Sequence, residues 1–207
     1  LMQAPISGFI GGALFQDGSL RDLRVELDIG AGQVMLTEAA APLRFDGITA
    51  ALRYDAATGR INFDRFDLEA PELAFAAVGH ADPSDDANRF TAQLRLSAIR
   101  IDPAGLYPVP LMLDGADLDL RLTLGPEPLV EIGQAVVHHD GLSLRARGRI
   151  AAQEQGLALA IDATLPEIAA RTALAYWPPT ALPRTRRWVE ENVVDGRLTG
   201  VDFALRA

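Results

Sequence analysis

The feature that most constrains this chain is a two-residue alternation of apolar and polar side chains. Ala116-Asp117-Leu118-Asp119-Leu120-Arg121-Leu122-Thr123-Leu124 places Ala or Leu at every second position, with charged or hydroxylated residues between. Successive side chains of a strand point to opposite faces, so such a segment has one greasy side and one wet side. The same pattern runs through residues 23–29, 90–96, 142–150 and 157–163. It recurs more weakly in 33–37, 48–54, 60–69, 72–79, 130–138 and 198–205. Turn signals separate these runs at Gly30-Ala31-Gly32, Thr58-Gly59, Asp140-Gly141 and Gln155-Gly156. Short connections of this kind join antiparallel neighbours, which predicts a meander of hairpins and excludes βαβ units.

Asp-Gly recurs at Asp17-Gly18, Asp46-Gly47, Asp114-Gly115, Asp140-Gly141 and Asp195-Gly196, each soon followed by an alternating run. The spacing is irregular, so this reads as one architectural unit reused and not as a fixed-period solenoid. Residues 81–88 read as a polar turn. Residues 102–110, with Pro103, Pro108 and Pro110, read as an extended crossing between two halves of the sheet, and they put a sub-boundary near 102–113. A chain of 207 residues is long enough to be one all-β unit, and we read 1–207 as a single β-rich segment.

The period changes toward the C-terminus, where a short helical insert is predicted over 166–195. Residues 166–175 read as a helix with proline at its first position. In residues 184–194, Thr185, Trp188, Val189, Asn192 and Val193 share one helical face, and Arg186, Arg187, Glu190 and Glu191 cover the other. Asp195-Gly196 supplies the stop, and a last strand follows.

Composition excludes several functions. The formal net charge of −9 argues against nucleic acid and against a peripheral grip on anionic membrane, because both depend on basic side chains. Every basic residue is Arg, and there is no cysteine, hence no disulfide, thiolate nucleophile or Cys-based zinc site. The uncharged stretch 1–16 carries Pro5 and three glycines, falls short of the roughly 20 apolar residues of a spanning helix, and lacks the basic start of a signal peptide. The chain opens Leu-Met, so we read it as a segment of a longer protein whose membrane contact lies outside it.

No motif for a nucleophile elbow, a phosphate-binding loop, a dinucleotide fingerprint or a zinc protease is present. His138 and His139 are adjacent on a predicted strand, point to opposite faces and cannot readily share one metal ion. Solvent-exposed strand ends are the default reading for them and for His80. Asp82, Asp85 and Asp86 lack the calcium-loop pattern and read as a solvated turn. Arg184, Arg186 and Arg187 beside Trp188 could meet a phosphate headgroup. The plainer reading is pairing of Arg186 with Glu190 and Arg187 with Glu191, plus a buried Trp. No metal, no cofactor and no enzymatic activity are expected.

The C-terminal residues carry a family resemblance. Tyr176-Trp177-Pro178-Pro179, then Pro183-Arg184-Thr185-Arg186-Arg187-Trp188-Val189, then Glu191-Asn192-Val193 and Gly196 resemble a stretch of AsmA-like envelope proteins of the YhdP type. There an aromatic-Pro segment precedes a short Arg/Trp helix and a new strand. The preceding amphipathic strands with Asp-Gly turns are similar in style to that family's repetitive β region. The resemblance implies a periplasmic segment of an inner-membrane-anchored protein. It implies a curved antiparallel sheet whose concave apolar side carries phospholipid tails toward the outer membrane, and it brings no catalytic residues. Shielding a sixteen-carbon tail is worth on the order of 10 kcal/mol at about 0.8 kcal/mol per CH₂.

The expected architecture is therefore mainly β, a curved antiparallel sheet forming a groove, with one or two short helices near the C-terminus. The expected groove lining is drawn from Leu94, Leu96, Leu118, Leu120, Leu122, Leu124, Leu144, Leu157, Leu159 and Ile161. Which of these line a groove and which meet a closing helix is open at this level. The expected partners are a phospholipid or other acyl lipid and the remainder of a longer chain. A structural or partner-binding β-sandwich with no lipid groove is the alternative. An envelope hydrolase assembled from scattered carboxylates is a third.

Overall fold

The computed structural model describes residues 2–35, 42–84, 86, 88–103, 107–125, 128–153, 156–193 and 195–206. The first half contributes β1 (Met2–Gln3), β2 (Ile6–Leu14), β3 (Leu20–Ile29), β4 (Gly32–Val34), β5 (Leu43–Phe45), β6 (Gly47–Asp55), β7 (Arg60–Glu69) and β8 (Leu73–Pro83). The second half contributes β9 (Arg89–Ile101), β10 (Leu111–Leu113), β11 (Gly115–Thr123), β12 (Leu129–His139), β13 (Leu142–Gln153) and β14 (Gly156–Ala169). Two short helices, α1 (Ala170–Tyr176) and α2 (Pro183–Asn192), precede the last strand, β15 (Arg197–Arg206).

The fold is mainly β, built on one antiparallel sheet of 12 strands in the order β15-β14-β13-β12-β11-β9-β8-β7-β6-β3-β2, with β10 paired to β9. It is an open sheet: β2 and β15 are its two ends. A three-stranded sheet, β1-β4-β5, sits beside the first strands and tucks in the buried Phe45. The pairing of β9 with β11 carries the sheet straight across residues 102–113, so the strand order shows no break there. Residues 104–106 of that expected crossing lie outside the described residues.

Register explains why the alternation persists across the molecule. Residues directly opposite on paired strands share a face. Val25 faces Leu52, Leu52 faces Phe63, Phe66 faces Ala77 and Ala77 faces Leu96. Leu96 faces Ala116, Ala116 faces Val137, Val137 faces Leu144, and Ile161 at the far end faces Leu205. One face is thus apolar from β2 to β15. The other is polar and laced by cross-strand pairs. Arg53 donates to Asp64 at 2.5 Å, Arg60 to Asp82 at 2.6 Å and Arg95 to Asp117 at 2.9 Å.

Slips in the alternation are absorbed by β-bulges. Between Phe63 and Phe66, between Leu96 and Ile99, and between Ile132 and Ala135 the chain inserts one extra residue, and apolar side chains return to the same face beyond it. A bulge bends and twists its strand, which turns a flat ribbon into a shaped one.

Little of the apolar face is sealed. Among the described residues twelve hydrophobic ones are buried, and eight of them are alanines: Ala50, Ala74, Ala77, Ala81, Ala92, Ala116, Ala135 and Ala170. Among the described residues no large side chain is fully buried. A compact monomer of this mass would expose about 9,400 Å² by the usual size scaling. This chain, at 22.2 kDa, exposes 13458 Å². The surplus belongs to a molecule only one sheet thick over most of its length.

Several expectations need correction. The first helix begins at Ala170, not at Pro166, because β14 continues to Ala169 and keeps pairing with β15. Proline is tolerated there because β13 has already left: its last partner on β14 is Thr164, so the missing N–H breaks no bond on that side. Residues 81–83 belong to β8 and not to a turn. Gly30-Ala31-Gly32 leads into the small sheet and does not join two neighbours of the large one. Trp188 is 59 % exposed, not buried, since α2 buries none of its residues. Arg186 pairs with Glu190 at 3.2 Å as the helical spacing requires, but among the described residues no ion pair joins Arg187 to Glu191.

Candidate apolar groove

The ten leucines and isoleucine singled out by alternation fall on two stretches of the same face. Leu94 faces Leu118, Leu96 faces Ala116, Leu120 faces Ala92 and Ile132, and Leu122 faces Phe90 and Val130. Leu144 faces Val137, and on β14 Leu157, Leu159 and Ile161 face Ala152, Ile150 and Gly148. Leu124 lies past the end of β11, is 53 % exposed, and pairs with no strand. None of the ten is buried: Leu124 and Leu157 are exposed, and the other eight are half-buried. Buried alanines such as Ala92, Ala116 and Ala135 lie among them on the same face, short side chains between long ones. The result is a hydrocarbon surface of short side chains set between long ones.

At one end this face becomes a cavity of about 570 Å³. Its walls are Leu113 on β10, Val137 on β12, Leu142 and Leu144 on β13, Leu165 and Ile168 on β14, and Val201 and Phe203 on β15. The chain from α1 to α2 closes over it with Ala173, Tyr176, Trp177, Pro178 and Ala181, and Tyr107 approaches from the loop after β9. That volume lies within the range of pockets that take small apolar ligands.

The cap is held by polar bonds to backbone carbonyls. The Tyr107 hydroxyl donates to the Tyr176 carbonyl at 3.0 Å, and Trp177 Nε1 donates to the Ala181 carbonyl at 2.6 Å. Arg186 on α2 donates to the carbonyls of Trp177 at 3.3 Å and Leu174 at 3.4 Å while pairing with Glu190. One arginine thus ties the two helices and the loop between them. Hydrophobic contact contributes little on the α2 side.

Polar groups gather at one point of the rim. Asp140 and Gly141 make the tight β12–β13 turn, both with positive φ (48° and 75°). The Asp140 N–H donates to Asp114 Oδ2 at 2.9 Å. His139 lies on the apolar face with its ring edge against Tyr176, centroids 5.5 Å apart. Its Nε2 is 3.5 Å from Asp140 Oδ2, and its Nδ1 is 3.8 Å from Asp114 Oδ1, is buried and makes no hydrogen bond. Burial, and after it the charges of Asp140 and Asp114, push the Tyr176 hydroxyl above its ordinary range. Burial raises Tyr107 likewise.

His138 points to the opposite side, toward Asp117 and Ser143, so the two adjacent histidines do not share a site, as strand geometry requires. The meeting of Asp114, His139 and Asp140, ligand atoms within 4.8 Å of one another, is the element that sequence reasoning missed. Its signal was present in two Asp-Gly turns, at 114–115 and 140–141, which antiparallel pairing of β11 with β12 brings to the same edge.

Several carboxylates that alternation placed outward are engaged on the polar face. Asp64, Asp82 and Asp117 are held below the usual carboxylate value, first by hydrogen bonds from Arg53, Arg60 and Arg95 respectively. Among the described residues no helix is long and apolar enough to cross a membrane. No protein-family model, curated protein or solved structure matches the chain.

Proposed function

We propose that this chain is a non-catalytic lipid-binding module of an AsmA-like protein of the YhdP type. It works in the periplasm as part of a protein anchored in the inner membrane, and shields phospholipid acyl chains on its apolar sheet face on their way to the outer membrane. The observation that carries this reading is the apolar face itself: continuous from β2 to β15, lined with leucines, and left half-open by the polypeptide. Uncovered hydrocarbon of this extent marks a surface meant to be covered by something else. The contact is non-directional, so a chain can move along it with no specific hydrogen bond to break. The segment that resembles the family, Tyr176-Trp177-Pro178, forms part of the cap over the cavity.

Organic extraction of the purified protein followed by mass spectrometry tests the reading. Acyl lipid should be recovered, and a fluorescent phospholipid should be taken up by protein that has been stripped. Extracts persistently free of lipid, with no uptake, contradict it. One observation favours the second reading, a partner-binding scaffold: β2, Ile6 to Leu14, is an end strand without a single charged residue, and such an edge invites pairing with another strand.

A further inference from the structure

We propose that the outward face of α2, with Trp188 beside Arg184 and Arg187, is a docking surface for a phospholipid membrane and seats the capped cavity against the bilayer. The proposal goes beyond the groove, which needs no membrane contact of its own.

The two sides of α2 do different work. Arg186, Val189 and Val193 are half-buried, on the side where Arg186 holds the carbonyls of Trp177 and Leu174. At about 100° per residue, Arg184, Arg187, Trp188 and Glu191 share the other side, and all four are exposed. Trp188 is 59 % exposed. Among the described residues the side chains of Arg184 and Arg187 have no hydrogen bond or ion pair. An exposed indole between two unpaired guanidiniums fits the boundary between lipid and water. The indole has an apolar body and one N–H donor, and it settles at the level of the headgroups. A guanidinium forks onto phosphate oxygens.

Charge is distributed to suit. The whole chain carries a net −9, yet residues 170–193, which form the cap, hold four arginines and two glutamates. One of those glutamates, Glu190, is paired with Arg186. Asp114 and Asp140 belong to the rim by Tyr176 and not to α2. Most other acidic residues are spread along the large sheet, and exposed charges more than about 8 Å apart are largely screened at physiological salt. A membrane touching α2 therefore meets a positive patch, while the acidic sheet resists lying flat on it. An acidic protein surface would also suit two arginines. The exposed indole favours lipid, and so does an apolar cavity beneath the cap, within about one helix diameter of 10 Å.

The test is flotation of the whole protein with vesicles of phosphatidylcholine and a minor share of phosphatidylglycerol, at low salt. It is run beside titration with a short-chain phosphatidylcholine kept below its micelle concentration. The wild type should float, and should release as salt is raised through the physiological range. Arg184→Gln with Arg187→Gln should raise the vesicle concentration for half-binding about twentyfold, at roughly fivefold for each arginine near an anionic surface. Trp188→Ala should raise it about tenfold through lost apolar burial in the interface. All three side chains are exposed, so the variants should melt with the wild type and bind the short-chain lipid within about twofold of it. Absence of flotation, or flotation that neither variant weakens, overturns the proposal. So does salt-sensitive binding of polyglutamate to the same arginines without flotation, which would assign the face to an acidic protein. Failure of the short-chain lipid to bind the wild type removes the groove reading, and flotation that the variants weaken upholds the docking surface even then.

Discussion

Leu120 stands between Ala92 and Ile132 on the apolar face and keeps its side chain only half-covered. A fully buried leucine cut to alanine costs roughly 2–5 kcal/mol, because the cavity left behind adds to the lost transfer energy. A leucine bordering an open trough leaves no enclosed cavity, so Leu120→Ala should cost about 1 kcal/mol, close to the transfer term alone. Urea unfolding of the lipid-free protein measures it, and a loss above 3 kcal/mol would mean a closed core. The opposite face responds to acid. Asp64, Asp82 and Asp117 have folded values below the unfolded 3.8, so their contribution is complete above that value. It fades as pH falls through the lower folded values. These pairs are exposed, so each effect is small and screened by salt. The unfolding midpoint should stay level from neutral pH to about 5, then decline below about 4, less steeply at high salt. A decline already complete at pH 5 would contradict the assignment.

Single elements show why some of the architecture was readable and some was not. Strand existence and facing were legible because alternation specifies them directly. Residues 116–123, 142–150 and 157–163 form strands with the faces their pattern implies. The bulges went unread, although Phe63-Asp64-Arg65-Phe66 and Ile132-Gly133-Gln134-Ala135 each break the period by one residue. Helix α1 was misplaced because Pro166 suggests a helix start until its neighbour strand is known to have ended. Trp188 was misread because an amphipathic pattern does not say whether anything packs on its apolar side. The cavity and its acceptor cluster were hidden, since they need Asp114, His139 and Tyr176 from three separate elements. Gly148 illustrates a constraint set by pairing alone. It sits between Ile132 and Ile161 on the apolar face, and a Cβ there would strike the Ala160 carbonyl. Gly148→Ala should destabilise the β13–β14 hairpin by about 1–3 kcal/mol, visible as a lower melting temperature. An unchanged melting temperature would mean that the two strands are not held at this separation.

At the scale of the whole molecule the sheet is long, open and thin. Its two faces do different physical work. The polar face has cross-strand Arg–Asp pairs that favour register and solubility while adding little stability apiece. The apolar face has small buried alanines under standing leucines, and more area meets solvent than a compact chain of this mass would leave. A protein that withholds so much hydrocarbon from its own core loses stability it would otherwise have, and lipid bound there would restore it by mass action, about 2.7 kcal/mol at a hundred times its Kd. The capped end turns this general surface into a defined cavity with a polar rim. The most direct measurement of the central claim is site-specific photo-crosslinking. A photoreactive side chain is placed at Leu120 or Leu159 on the apolar face and at Arg121 or Ala160 on the polar one, and adducts are read by mass spectrometry after incubation with phospholipid vesicles. Lipid adducts at Leu120 and Leu159 and none at Arg121 and Ala160 are the expected result; adducts on neither face, or equally on both, would contradict the account.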